Sequence, residues 1–406
     1  MQAILDKVLK RIKPESKTKK ELTREINDFL SKLKKKLKSA KVVAGGSFAK
    51  NTWKKDDFDV DVFVKFDMKH KKDNLSDLLQ KGLKGNKFVR VHGSRDYFQI
   101  QKGKIKYEIV PVLNIRKNSD GQNVMDFSPL HVNWVKKSIG KLHDDIILAK
   151  QFCKANKIYG AESYIGGFSG HVIDILVIFY GGFIPLLRAT KNWKEQKIVD
   201  VEKVYKGKAL RYLNKSKTEG PLVVIDPVQP DRNAAAAVTK KTYVKFKKVA
   251  AQFLRKPNKK FFEEKKITLE NLREKKAIIV EITPLTGKRD VVGTKLLKAY
   301  EFLKKHLKQF GIKESGWEWN DKVYFWFVLE KDRLDKEYIS EGPPIEMKEA
   351  VKKFKKKHKR TFVKKGKLYA KVTQKNISIY KTISHLLKEK YFLSRIKSAQ
   401  MGPKHL

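Results

Sequence analysis

At 406 residues, 41% of them apolar and 11% aromatic, the chain can build two to four domains with real cores, which excludes a disordered basic tail. Lysine and arginine number 93 against 44 acids, a formal charge of +49, so a polyanionic partner is expected. That charge runs the whole length, which favours nucleic acid over a membrane surface, and the single cysteine, Cys153, excludes an internal disulfide or a cysteine-based zinc cluster, as in a reducing cytoplasm.

The opening "MQAILDKVLKRIKPE" reads as an amphipathic helix ended by Pro14, without the continuous apolar centre of a signal peptide. A second helix, "ELTREINDFLSKLKKKL", sets Leu22, Ile26, Phe29, Leu33 and Leu37 on one face. A short strand, "KVVA", runs into Gly45 and Gly46, and Ser47 starts a helical turn. The strand "DVDVFV" follows, then a helix around "NLSDLLQKGL", strands near "KFVRVHG", "YFQIQ" and "KIKYEIVPVL", and a loop, "NSDGQN". These elements predict a small mixed sheet with helices on one side, spanning residues 1–136.

From "SPLHVNWVKK" the pattern turns mostly helical, with Ser128 and Pro129 suited to cap and start the first helix. "FSGHVIDILVIFYGGFIPLL" imitates a membrane span, but His171, Asp174, Gly181 and Gly182 interrupt it, so a buried core helix is expected. This central domain spans 137–265, and "RKPNKKFFEEKK" near its end reads as a linker. Beyond it, "AIIVEITPL", "TKLLKAYEFLKKHLKQFG" and "KVYFWFVLE" suggest a β-α-β unit in a third, α+β domain, 266–406, with a basic helix-then-strand tail. Alternation in "VYFWFVLE" marks a buried strand rather than a base-stacking surface. The fold class is α+β.

The chemistry concentrates in "GGSFAKNTWKKDDFDVDVFVKF", residues 45–66. Alternation sends Val60, Val62 and Val64 into a core, and Asp59 and Asp61 together to the other face, with Cβ atoms about 6.6 Å apart. Like charges so close repel unless something positive lies between them; alone, such a pair is more often a solvated strand face, and the residues on either side change that reading. Gly45 and Gly46 leave the backbone open to a phosphate at the start of a helical turn, where Ser47 and Lys50 share a face. This is not a Walker A loop, which needs a longer glycine-rich run. A triphosphate between that turn and the carboxylates calls for bridging magnesium, which prefers hard oxygen ligands. Two-metal phosphoryl transfer needs a third carboxylate. Glu108, opposite in facing to Tyr107 and Ile109, is the candidate, although a solvated strand residue reads the same locally.

A glycine-serine pair, an Asp-x-Asp strand and an acid on a later strand together resemble the nucleotidyltransferase superfamily that includes DNA polymerase β. "GGSFAKNTW", "SPLHVNWV", "IYGAESYIGGFSGHVIDILVIFYGGF", "VIDPVQPDRNAAAAV" and "GPPIEMKEAVKKF" occur in the order seen in archaeal-type (class I) CCA-adding enzymes, a resemblance running from Gly45 to the basic tail. It implies a nucleotidyltransferase head domain, a central domain touching the nucleotide base and tRNA, and a tRNA-binding body and tail. It implies Asp59, Asp61 and Glu108 as catalytic metal ligands for Mg2+. Ser47, Lys50, His131, Lys150, Tyr159 and Arg232 would bind ATP and CTP, with Arg232 reading the base. The acceptor stem and T arm of tRNA are the implied partner surfaces, and a homodimer is implied too. The family usually has arginine where Lys50 stands, often aspartate at Glu108, and commonly tyrosine and glutamate at His171 and Asp174. Lys50 lacks the bidentate fork of arginine, and Glu108 has one more methylene than aspartate.

Without the resemblance, His131 reads as a cap-region residue, Lys150 as one of many lysines, Tyr159 as a core aromatic, and Asp226 with Arg232 as a loop brace. The function implied is untemplated addition of the 3′-terminal CCA of tRNA from CTP and ATP. Two rivals share the pattern: a poly(A) or poly(U) polymerase, and a catalytically silent RNA-binding protein on the same fold.

Overall fold

A computed structural model describes residues 1–402 apart from 56–58, 266, 321, 335–336 and 374–376. The chain divides into two units, residues 1–265 and 266–406. Helix α1 (Gln2–Ile12) stops at Lys13, which is extended as a residue before proline must be. Helix α2 (Ser16–Lys36) buries Ile26, Phe29, Leu30 and Leu33. Strand β1 (Ala40–Ala44), the four-residue turn α3 (Gly46–Ala49), β2 (Val60–Phe66), α4 (Leu75–Gly82), β3 (Val89–Val91), β4 (Tyr97–Lys102) and β5 (Ile105–Leu113) complete a five-stranded sheet of order β1-β2-β5-β4-β3. It is mixed: β2 and β5 run parallel, the other neighbours antiparallel. Val60, Val62, Val64, Tyr107 and Ile109 are fully buried beneath α2, so their alternating partners face away from that core.

The helical part begins with α5 (Ser128–Ser138), α6 (His143–Ala155), α7 (Gly170–Tyr180) and α8 (Phe183–Ala189). Ser128 is not the cap expected of it. Phe127 holds the cap position without a side-chain hydrogen bond, because a 3-10 turn runs straight into the helix. Among the described residues no single helix is long and apolar enough to cross a membrane. The chain turns by 87° at Gly181 and Gly182, both at positive φ, and α7 lies in the core. A two-stranded parallel sheet, β6 (Lys197–Val199) and β7 (Leu222–Val224), interrupts the helices, followed around it by α9 (Ala209–Tyr212), α10 (Lys215–Thr218) and α11 (Lys240–Arg255). The segment read as a linker is partly core. Phe262 is fully buried, Phe261 packs beside it, and Gln151 donates to the Phe262 carbonyl at 2.8 Å.

The second unit starts with α12 (Leu269–Glu274), β8 (Ile278–Thr283), α13 (Arg289–Leu307), β9 (Ile312–Trp319) and β10 (Val323–Leu329). The expected β-α-β unit is not parallel. Strand β9, unforeseen in the polar "IKESGWEW", forms a hairpin with β10 and leaves β10 antiparallel to β8. Strand β11 (Glu337–Pro344), α14 (Lys348–Lys357), β12 (Thr361–Lys364), β13 (Lys367–Thr373), α15 (Ile379–Leu386), α16 (Lys390–Leu393) and β14 (Ser398–Met401) follow. They give a four-stranded sheet, β14-β8-β10-β9, and a three-stranded one, β11-β13-β12.

Candidate active site

Parallel pairing of β2 with β5 sets Asp61 directly beside Glu108. Asp59 lies just before β2, exposed, and its Oδ2 is 2.7 Å from the Lys106 ammonium, which is also 3.4 Å from Glu108 Oε1. Gln99, opposite Glu108 on β4, donates to the same oxygen at 2.8 Å. Burial, the Glu108 charge and the Asp59 charge together push the Asp61 carboxyl up to about 6, against the pull of Lys50. The turn after β1 is shaped to this carboxylate. Gly45 N–H donates to the Asp61 carbonyl at 2.7 Å. Gly46 sits at φ +54°, and a Cβ there would lie 1.6 Å from Asp61 Oδ2. A Cβ on Gly45 would strike the Phe63 ring. The glycines are thus required by contacts inside the protein, whatever approaches from outside.

Asp59 and Glu108 share the Lys106 ammonium, and with Asp61 they form a donor set of hard oxygens that suits a divalent cation. Lys106 stands in for part of that charge here. Ser47 lies half-buried in the first turn of α3. Lys50, at the end of α3, reaches Asp174 Oδ2 of α7 at 2.5 Å. The Lys150 ammonium, on α6, sits 2.9 Å from Asp174 Oδ1 and donates to Thr52 Oγ1 at 3.2 Å. Asp174 is completely buried, yet the two ammonium groups outweigh burial and hold its carboxyl below the usual range. Burial pulls Lys150 down to about 8, partly offset by Asp174. Tyr159 borders the same place, since a Cβ on Gly170 would lie 3.0 Å from its hydroxyl and 3.8 Å from Lys150 Cε.

A second buried carboxylate collects the remaining residues. Asp226, in the loop after β7, is fully buried. Its Oδ1 accepts from the Val228 and Gln229 N–H groups at 2.9 and 3.1 Å and lies 2.9 Å from His131 Nε2. Its Oδ2 is 2.8 Å from Arg232 Nη1. Burial alone would raise this carboxyl; the His131 hydrogen bond, the adjoining His131 and His171 rings and the Val228 N–H hold it well below the usual range instead. His171 packs its ring 4.3 Å from that of His131, and burial followed by His131 lowers it to about 3, so its imidazole is neutral.

Helix α7 therefore links the two groupings, with His171 and Asp174 one turn apart. The sequence pattern points to Asp59, Asp61 and Glu108, but not to the convergence of Lys50 and Lys150 on Asp174, nor to the Lys106 bridge between Asp59 and Glu108. Asp174 carried a usable signal: a lone carboxylate in the apolar run "VIDILVIF" demands a buried cation.

Residues 24–118 match the family model described as nucleotidyltransferase domain, and residues 144–263 match tRNA nucleotidyltransferase, second domain. The CCA-adding enzyme of Nanoarchaeum equitans is 35% identical over 347 residues, 84% of this chain and 85% of that protein. The CCA-adding enzyme of Methanocaldococcus jannaschii is 29% identical over 396 residues, covering 91% and 87%. Among solved structures, a cytoplasmic RNA terminal U-transferase aligns with 65% of this chain and 98% of its own at a TM-score of 0.50 and 15% identity, a likeness of fold alone.

Proposed function

We infer how the site works from the premise that this chain belongs to the family of CCA-adding enzymes, the tRNA nucleotidyltransferases. It adds CCA to the 3′ end of tRNA from nucleoside triphosphates, and enzymes of this nucleotidyltransferase fold use divalent metal ions. The RNA 3′-hydroxyl oxygen bonds to the α-phosphorus of CTP or ATP, the bond from that phosphorus to the bridging β-phosphate oxygen breaks, and pyrophosphate leaves with the hydroxyl proton released to solvent.

Asp59, Asp61 and Glu108 hold the metal, which we take to be Mg2+; when bound it neutralises phosphate charge and eases loss of the hydroxyl proton. The observation that carries this assignment is the side-by-side register of Asp61 and Glu108, with an Asp61 carboxyl pushed up to about 6 by burial and by the Glu108 charge beside it. Ser47 and Lys50 bind the triphosphate at the α3 turn. Lys150 and Tyr159 line the nucleotide on the α6–α7 side, and His131 orients it from α5. Arg232 offers planar donors to the base, and Asp226 holds its guanidinium through Nη1. Catalysis is then mostly positioning and charge neutralisation.

Exposed lysines on α14, Lys352, Lys353, Lys355, Lys356 and Lys357, would grip phosphates of the acceptor stem and T arm by A-form shape. We place the enzyme in the cytoplasm, as a homodimer. Asp59→Ala and Asp61→Ala test the metal assignment: each should abolish nucleotide addition and leave tRNA affinity nearly intact. Near-wild-type incorporation by either variant would mean that other groups hold the metal.

A further inference from the structure

Outside the carboxylate cluster, His131, His171 and Asp226 each bring one ligand atom within 4.8 Å of the others. They come from three separate segments, α5, α7 and the loop after β7, so the convergence is tertiary and not a consequence of sequence spacing. The His171 Nε2 atom is buried with no hydrogen-bond partner among the described residues. It lies 3.9 Å from Asp226 Oδ2. A buried imidazole nitrogen normally finds a partner, because leaving one unmet costs about 1–3 kcal/mol.

We propose that His131, His171 and Asp226 form a binding site for a transition-metal dication of the Zn2+ class, separate from the carboxylate site. Zinc bonds to imidazole nitrogen and carboxylate oxygen at about 2.0–2.2 Å, which spaces tetrahedral ligand atoms roughly 3.3 Å apart. The present spacings, 2.9 Å for His131 Nε2 to Asp226 Oδ1 and 3.9 Å for His171 Nε2 to Asp226 Oδ2, straddle that value.

The chemistry discriminates between ions. Two imidazoles and one carboxylate favour zinc, copper or nickel, whereas magnesium favours an all-oxygen set. Each imidazole must offer an unprotonated nitrogen to the ion. His131 need only carry its proton on Nδ1, which frees Nε2 for the ion. The Val228 and Gln229 N–H bonds to Oδ1 keep the carboxylate oriented while the ion binds, the role outer partners play in known metal sites. Three protein ligands leave a fourth position for water. The dication would also sit beside Arg232, which now shares Asp226, so binding the ion loosens the guanidinium.

The test is Zn2+ titration of chelator-stripped full-length protein by calorimetry in excess Mg2+, which saturates the carboxylate cluster. One equivalent should bind. His171→Phe keeps an aromatic ring against His131 and removes the ligand, so it should raise the dissociation constant more than the roughly 10–100-fold that loss of an orienting partner gives. A second readout needs no variant: Co2+ bound to wild-type protein should show two hyperfine-shifted imidazole N–H resonances and a visible band of tetrahedral intensity. No Zn2+ binding in excess Mg2+, an equivalent that His171→Phe leaves unchanged, or a Co2+ spectrum with fewer than two shifted imidazole protons would each overturn the proposal.

Discussion

Asp61→Asn should make the metal-free protein more stable. Asp61 stands beside Glu108 and near Asp59, and burial and these neighbours raise its carboxyl from the ordinary 3.8 to about 6. At about 1.36 kcal/mol for each tenfold change in proton affinity, ionised Asp61 penalises the folded state by about 3 kcal/mol. Solvent reaching the half-buried side chain trims this to about 2–3 kcal/mol. The sign follows from linkage. A carboxyl with a raised folded-state pKa is favoured while protonated, so the penalty is small near pH 4, grows as pH rises, and is complete above about pH 6. Asparagine removes the charge and keeps the shape. Urea unfolding in chelator at pH 8 should therefore find Asp61→Asn more stable than wild type by about 2–3 kcal/mol, and at pH 4.5 by only about 1 kcal/mol. Added Mg2+ should stabilise wild type and leave Asp61→Asn nearly unmoved, since only the former binds it well. Equal stability of the two proteins at pH 8, or a gap that widens as pH falls, would refute the electrostatic argument.

The same carboxyl predicts that kcat/KM falls as pH drops through about 6, and that raising Mg2+ moves this limb to lower pH, because proton and metal compete; a limb insensitive to Mg2+ would assign it elsewhere. Asp174→Ala strands the Lys50 and Lys150 ammonium groups beside an empty place, so urea unfolding should show a loss of about 3–5 kcal/mol. Arg232→Ala should weaken selection of CTP and ATP over UTP and GTP by about 1–3 kcal/mol in kcat/KM ratios. Unchanged ratios would leave Arg232 as a brace for the Asp226 loop. Affinity for tRNA should fall with salt on a log–log slope of several units, as lysines displace counterions; a salt-independent dissociation constant would contradict that role for the +49 charge.

The sheet was legible because its strands alternate. Val60, Val62 and Val64 declared the inner face of β2, and Tyr107 and Ile109 that of β5, leaving Asp61 and Glu108 on the other side. Strand β9 was hidden, since "IKESGWEW" is only half-buried and shows neither a clear apolar alternation nor a continuous apolar run. The burial of Phe262 was masked by the lysines around it, which composition alone assigns to a linker. Long-range pairings were the least legible part. Lys50 and Lys150 are separated from Asp174 by 124 and 24 positions, so no local period reveals that both reach one carboxylate. His131 lies 95 residues before Asp226, and only folding brings them to 2.9 Å.

Untemplated synthesis of CCA on tRNA can be read directly from the products. Wild-type protein should be incubated with CTP, ATP, Mg2+ and a tRNA ending at its discriminator base, and the products read at single-nucleotide resolution. The products should be two cytidines followed by one adenosine and then a stop, with no product from Asp59→Ala. A homopolymeric tail, or identical incorporation by Asp59→Ala, would contradict it.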